Sequence, residues 1–191
     1  MSPGGLRPGG PEDDGLPRAA LRLTTGVTVL TARHDGRVHG ATVSAAGVVS
    51  RSPLTIGAGL RQSSELLELA LASGLFAVNV LSGRQAQVAD WFASPRRPRG
   101  RAQFDVLEWD PDPATGLPLL RHTLARLVCR VTGQVAVGDH ELLLAEVVDG
   151  ASGAGSPLLS FDGDLHSAEF RDVVRRRWGR SLAATATVSL D

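Results

Sequence analysis

Apolar and polar positions alternate along this chain in many short runs broken by Gly, Pro and Asp-Gly signals, the pattern of strands joined by turns. Residues 1–18 (MSPGGLRPGGPEDDGLPR) hold too much Pro, Gly and charge to pack and predict disorder, with order beginning near Leu21. Thr24 to Ala32 is β-branched and alternating, Asp35-Gly36 is a hairpin turn signal, and Arg37 to Ala46 returns as the second strand. Gly47 to Ser52 continues in extended form, and Pro53 opens the next strand where no ladder donor is needed. The rest is organised around Pro53 to Leu81. A short apolar run from Leu54 to Ala58 breaks at Gly59, and a polar loop from Leu60 to Ser64 carries Arg61, Ser63 and Ser64. Leu66, Leu67, Leu69 and Ala70 then keep a helical period, Gly74 stands where that helix should end, and Phe76 to Leu81 is strand again.

Ser82-Gly-Arg-Gln85 is a capping-box pattern that opens a helix to about Phe92. Ser94 to Arg101 (SPRRPRGR) is a basic Pro/Gly loop, expected to be mobile and to steer an anionic ligand rather than nucleic acid, since no aromatics interleave its arginines. Phe104 to Trp109 predicts a short strand, and Asp110 to Pro118 a turn-rich connection. Leu124 to Val137 alternates over a long span, Gly138-Asp139 turns the chain, and His140 to Val148 runs back as its hairpin partner. Gly150 to Ser156 is a flexible loop and Pro157 to Phe161 a last strand. From Ala168 a basic amphipathic segment (RDVVRRRW) predicts a terminal helix packed on the body or on a second subunit, with too few apolar residues for a membrane. The expected architecture is mainly β: an antiparallel barrel with two or three peripheral helices, one domain over residues 19–166, preceded by the disordered segment and followed by a basic helix and tail over 167–191.

Composition narrows the chemistry. Every one of the 20 basic residues is Arg, balanced by 20 acidic residues, so the net charge of zero favours neither nucleic acid nor membrane. Without Lys or Tyr there is no Schiff-base chemistry, no phosphate-binding lysine and no tyrosine acid or base. Cys129 is the single cysteine and sits in an apolar run, as a buried inert thiol does. No signal peptide or membrane-length apolar run stands out, and a soluble, reduced, cytoplasmic protein is expected. The five histidines lack metal-ligand spacing, and no Gly-x-Ser-x-Gly elbow exists. The Gly-Ala-Gly of residues 153–155 lacks the third glycine and the helix of a dinucleotide fingerprint.

Two places hold candidate chemistry. The helix after Ser64 brings unpaired N–H groups and partial positive charge beside a guanidinium and two hydroxyls, a ready site for a phosphate. The alternative is that Ser63 or Ser64 only caps the helix and Arg61 is solvated. His140 follows Gly-Asp at a hairpin apex, where a turn can aim a ring into a cleft, or simply expose it.

Taken together the segments Thr25-Gly-Val-Thr-Val-Leu30, Gly40-Ala-Thr-Val-Ser44, Ser50 with Pro53-Leu54, Ser63-Ser64, Ser73-Gly-Leu-Phe-Ala-Val-Asn-Val-Leu81, Gln85 with Phe92, Phe104, Gly116-Leu-Pro118, Gly138-Asp-His140 and Pro157-Leu158 resemble, in order and spacing, the flavin reductase family. The resemblance runs from about Leu21 to Leu165. It implies a Greek-key split barrel and reduction of free FAD or FMN by NADH or NADPH. The reduced flavin would pass to a partner monooxygenase or halogenase, and the enzyme would be a homodimer with its cleft near the subunit interface. By the same resemblance Thr42, Val43, Ser44 and Ala45 lie along the flavin, Ala58 and Gly59 contribute to its site, and Ser50, Arg61, Ser63 and Ser64 hold its phosphate. Phe104 closes over the ring region, and His140 positions the nicotinamide as the catalytic residue. The chain departs from the family at Ala45-Ala46-Gly47, near Ala58 and at Gln103, which implies fewer contacts and a loosely held flavin. Two other readings share the barrel: an oxygenase component that retains its flavin, and a flavin- or haem-binding protein without turnover.

Overall fold

A computed structural model describes residues 15–170. The described residues begin with α1 (Gly15–Ala20), so a turn of helix covers the end of the segment expected to be disordered. Then come β1 (Thr25–Gly26), β2 (Thr28–His34), β3 (Arg37–Val43), β4 (Ala46–Arg51), β5 (Leu54–Arg61), α2 (Glu65–Ser73), β6 (Leu75–Val80) and α3 (Ala86–Ala93). A 3-10 helix (Gly100–Phe104) leads to β7 (Trp109–Pro111), β8 (Pro118–Leu120), β9 (Ala125–Val137), β10 (His140–Ser152), β11 (Leu158–Phe161) and β12 (Asp164–Ser167).

Seven antiparallel strands make the main sheet in the order β3-β2-β6-β9-β10-β5-β4. Its two edges, β3 and β4, are consecutive in the chain and joined only through Ser44 and Ala45. That short link is the seam at which the sheet curls back on itself into a split barrel, and beside it the Gly59 amide donates to the Ala45 carbonyl at 2.8 Å, continuing the β4–β5 ladder by one residue. A Cβ on Gly59 would stand 3.3 Å from that of Ala45, close enough that the link would have to give by a few tenths of an ångström.

Local chemistry explains the turns. Asp35 and Gly36 both adopt positive φ (46° and 76°), as a two-residue hairpin of that type demands, and Gly138 does so at 61° in the β9–β10 turn. Gly74 ends α2 in the left-handed conformation at φ 71°. At the start of α3 half of the capping box forms: the Gln85 Oε1 accepts from the Ser82 amide at 3.0 Å, while the Ser82 hydroxyl donates to the same oxygen instead of capping.

β2 is buried on both faces from Thr28 to Ala32 and separates two cores. On one side Leu30 and Ala32 meet Leu66, Leu67, Leu69 and Ala70 of α2, with Phe76, Ile56 and Leu143. On the other, Val29 meets Phe92, Phe104, Leu120 and Leu158. Each such side chain contributes roughly 1.5–3 kcal/mol by leaving water. Cys129 is fully buried in the first core, and burial pushes its thiol up to about 12, an inert state.

Three expectations need correction. Phe104 ends a 3-10 helix, not a strand, because Gln103 beside it is buried and its amide binds the Gly40 amide, the Gly100 carbonyl and the Val38 carbonyl. β10 extends to Ser152, taking in part of the expected loop, since β9 starts early enough to pair with it. Phe161 does not end the last strand: the Asp162-Gly163 turn folds β12 onto β11. The expected C-terminal helix lies, beyond Phe170, outside the described residues, as do residues 1–14 of the N-terminal segment; Ala168 to Phe170 have no regular structure.

Asn79 locks β6 between sheets: fully buried, it donates to the Val29 carbonyl and accepts from the Leu120 amide at 3.1 and 2.8 Å. Asn79→Ala orphans both groups, and should lower the unfolding free energy in urea by about 1–3 kcal/mol; an unchanged midpoint would contradict this role.

Candidate functional site

A cleft of about 1060 Å³ opens where the barrel seam, the start of α2 and the β9–β10 hairpin meet. Its floor comes from an edge strand. β3 pairs with β2 on one side only, so alternate residues turn their N–H and C=O outward. At Gly40 those groups are covered: its amide donates to Gln103 Oε1 at 2.9 Å, and its carbonyl accepts from Arg97 Nη2 at 2.8 Å. Two residues on, by the same alternation, the Thr42 backbone faces the cleft. The Thr42 hydroxyl is already spent on the Ala89 carbonyl at 2.6 Å, and the Val43 side chain is in the core, so this stretch offers backbone rather than side chains.

The second wall is the turn from β5 into α2. Ser64 has the extended backbone of an N-cap (φ −76°, ψ 125°), yet its hydroxyl makes no capping bond. The side chains of Ser44, Arg61 and Ser63 likewise make no hydrogen bond or ion pair among the described residues. A capping role for Ser63 or Ser64 is therefore not what the structure shows: the helix start carries hydroxyls beside it but is not closed by them. Gln62, which no sequence pattern singled out, ties this turn to the hairpin: its amide donates to the Asp139 carbonyl at 3.2 Å and its side chain to Glu141 at 3.3 Å.

The hairpin supplies His140. In the ladder it stands directly opposite Arg61 on one side and Val137 on the other, so the imidazole and the guanidinium share one face of the sheet. His140 Nδ1 lies 2.7 Å from Asp139 Oδ1. A carboxylate accepts only, so Nδ1 carries the proton and Nε2 is left facing outward. His140, with smaller help from the Asp139 backbone and Arg61, holds the Asp139 carboxyl below the usual carboxylate range.

Carboxylates also stand at the helix start. Glu65 and Glu68 suit the α2 dipole but would repel an anion; Arg37 on β3 binds both. Hydrogen bonds from Arg37 hold the Glu68 carboxyl low, and those to Glu68 and Glu65 raise Arg37 further. Beside them His39 Nε2 is 2.9 Å from Arg97 Nη2, and guanidinium can only donate, so His39 is neutral with its proton on Nδ1. That Nδ1 is 3.4 Å from Glu65 Oε2, near enough to feel the charge but without hydrogen-bond alignment. Burial first, and Arg97 second, lower the His39 pKa from its ordinary 6.5. Arg97 also donates to the Ser94 carbonyl at 2.7 Å, so the basic loop is pinned to β3 through one of its arginines.

Nine of the expected residues therefore converge: Thr42, Val43, Ser44, Ala45, Gly59, Arg61, Ser63, Ser64 and His140 line the cleft. Three do not. Ser50 pairs with Thr55 at the far end of β5, six residues and roughly 20 Å from Arg61. Ala58 faces inward and is fully buried. Phe104 is not among the lining residues: it is buried beneath the cleft with its ring 5.4 Å from that of Phe92, and Phe92, equally buried, stands between it and the cleft lining. Arg37, His39, Glu65 and Glu68 line it unanticipated, together with Arg97 and Arg99 from the basic loop expected to steer an anionic ligand.

The family described as "Flavin reductase like domain" matches residues 20–169. The NADPH-flavin oxidoreductase of Streptomyces viridifaciens is 50% identical over 166 residues, 86% of either chain. The NADH flavin reductase of Kitasatospora aureofaciens is 35% identical over 147 residues, 76% of this chain and 75% of its own. The flavin reductase component of a bacterial two-component tryptophan halogenase superposes with a TM-score of 0.77 at 28% identity, over 84% of this chain and all (100%) of that one. The NADH:FAD oxidoreductase of Streptomyces globisporus, solved with NAD and FAD fragments, gives 0.76 at 27% identity over 86% and 98%.

The neutrality of His39 has a consequence for stability. Its folded pKa is depressed, so its contribution is complete above the unfolded value near 6.5 and is lost as pH falls below it, where the unfolded chain takes up a proton that the folded site refuses. Urea midpoints measured between about pH 7 and 5 should fall more for the parent than for His39→Gln, which keeps an acceptor for Arg97. Parallel profiles would mean that His39 is not the group responsible.

Proposed function

The chain belongs to the flavin reductase like domain family, and from that premise we propose that it uses a nicotinamide to reduce free FAD or FMN, which then leaves for a separate monooxygenase or halogenase. One observation carries the site assignment: the open backbone of β3 at Thr42, the uncapped start of α2 and the His140 hairpin face a single cleft.

The donor set fits a flavin. The outward Thr42 N–H and C=O match the alternating acceptors and donors along one edge of an isoalloxazine ring. Ser63, Ser64 and the helix amides suit its phosphate, within reach of Arg61. Bound flavin supplies a ring that accepts hydride, and the protein's part is placement and exclusion of water. His140, held by Asp139 with Nε2 free, orients the nicotinamide by accepting or packing rather than by moving a proton. Ala45 presents only a methyl group to the cleft, which suits a flavin that must be released.

Two finer assignments follow from the same reading. The donor is NADPH, as the 50% identical relative's name states of that protein. The enzyme is a homodimer acting in the cytoplasm. The outer sheet face that carries His140 and Arg61 continues through the exposed Val135 and Val137 and the half-buried Leu142 and Leu144, an apolar surface that a second copy would cover beside the cleft.

Purified protein with NADPH and excess FAD or FMN should show flavin-dependent loss of the nicotinamide absorbance; no loss with either flavin and either nicotinamide overturns the proposal. His140→Ala should lower kcat/KM for the nicotinamide by roughly ten- to a hundredfold while flavin affinity stays put. An equal loss of flavin affinity would move His140 to the flavin side. Arg37→Ala releases the Glu65 and Glu68 carboxylates into the cleft, and should weaken FMN by roughly three- to tenfold at low salt while leaving riboflavin, which has no phosphate, unaffected. Equal effects on both ligands would take the phosphate away from the start of α2.

A further inference from the structure

Four arginines line the cleft, and they are not equivalent. Arg37 is bound by Glu65 and Glu68. Arg97 directs Nη1 to the Ser94 carbonyl and Nη2 to His39 and the Gly40 carbonyl, and its Nε is buried. The side chains of Arg61 and Arg99 make no hydrogen bond or ion pair among the described residues. Arg61 has a place in the reading above. Arg99 has none, and in a chain without Lys the permanent cation offered to any further phosphate in this cleft is an arginine.

Arg99 is also held in place. Two residues before it, Arg97 pins the loop to Gly40; four residues after it, Gln103 binds the Gly40 amide, the Val38 carbonyl and the Gly100 carbonyl from a fully buried position. Arg99 itself has the extended backbone (φ −96°, ψ 162°) that starts the 3-10 helix. An exposed guanidinium is thus carried between two anchors on the same stretch of β3 whose next residues form the cleft floor. Its planar fork of donors stands exposed at the cleft, and no carboxylate among the described residues takes it up.

Resting on the flavin reductase reading, we infer that Arg99 is the specificity-determining residue of the nicotinamide site, pairing with the phosphate that distinguishes NADPH from NADH. A phosphomonoester on the ribose carries close to two negative charges and three acceptor oxygens, which a guanidinium matches in a bidentate way. NADH offers only a hydroxyl there. The preference for the phosphorylated donor then resides in one side chain on the loop between α3 and the 3-10 helix, separate from the hairpin that orients the nicotinamide ring.

Steady-state rates with each nicotinamide at saturating FMN, and calorimetric binding of adenosine 2′,5′-bisphosphate and of ADP, decide the point for the parent, Arg99→Gln, Arg99→Lys and Arg96→Gln. Arg99→Gln should cut kcat/KM for NADPH by roughly ten- to a hundredfold and leave NADH within about twofold. It should also erase the preference for adenosine 2′,5′-bisphosphate over ADP. Arg99→Lys should retain part of both. Arg96, in the same loop but outside the cleft lining, should leave both unchanged on Arg96→Gln. Equal losses with NADPH and NADH, or an effect that tracks FMN against riboflavin, overturn the inference by assigning Arg99 to a phosphate the two donors share or to the flavin. No effect at all overturns it as well. Parent protein that oxidises neither nicotinamide would end the reductase reading, while the two adenosine ligands would still report on Arg99.

Discussion

The edge of a β-sheet is a row of unpaired donors and acceptors, and a folded protein must cover it, pair it or use it. In this barrel one edge strand, β3, is treated in two ways along its length. From Val38 to Gly40 its outward groups are met by Gln103 and Arg97, reaching over from the segment that follows α3. From Thr42 the cover stops, and the same backbone pattern opens into the cleft. The site exists because that covering ends where it does. Gly40 is the hinge of the arrangement: a Cβ there would come within 2.5 Å of the Phe92 ring, so only glycine lets α3 and the Gln103 segment sit against the strand. Phe92 and Phe104, packed together beneath, fix how far the cover can reach.

Charge is balanced against that geometry. A helix start beside two acidic residues looks unsuited to an anion, and Arg37 on the neighbouring strand offsets part of that charge by binding both carboxylates. His39 extends the arrangement in a neutral form, accepting from Arg97 because a second positive charge in that buried corner would be opposed by desolvation and by the guanidinium itself. The carboxylates and the arginines they engage thus hold α2, β3 and the basic loop together while leaving Arg61 and Arg99 with their donors free. Structural cations and available cations occupy the same wall, and sequence composition cannot tell one from the other.

Much of the fold could be read in the chain because its signals are local. The Asp35-Gly36 and Gly138-Asp139 turns, the glycine ending α2 and the long alternation of β9 each depend on residues close in sequence. The cleft was legible where it uses such local features, at Ser63, Ser64 and His140, and through the ordered segments that run from Thr42 to Ala45. It was not legible where two distant elements make one site. Nothing near Arg37 or His39 announces that α2 will present Glu65 to them, and nothing near Gln62 announces the hairpin that it binds. Phe104 and Ser50 stand outside the cleft lining for the opposite reason: a residue type that suits a flavin site was expected at the surface of it, whereas packing put one beneath the cleft and strand register carried the other to the far end of β5.

Polar groups left without partners are where a chain gives up stability for something else. Among the described residues the core offers few such places: Asn79, Thr31 and Gln103 are all fully buried and all bonded. The unfinished groups cluster instead around one opening, with Ser64 declining to cap its helix, Arg61 and Ser63 without partners, and the Thr42 backbone facing out. A protein needing only to fold would gain by closing each of them with side chains already to hand, since a capping serine alone is worth about 1 kcal/mol. Their joint persistence at the mouth of a large cleft, beside a histidine whose tautomer is set by its neighbour, is what a site built for a ligand with both a hydrogen-bonding ring edge and a phosphate requires. A ligand that completes these bonds only while it is bound can also leave, and an enzyme that hands its reduced flavin to another protein depends on that departure.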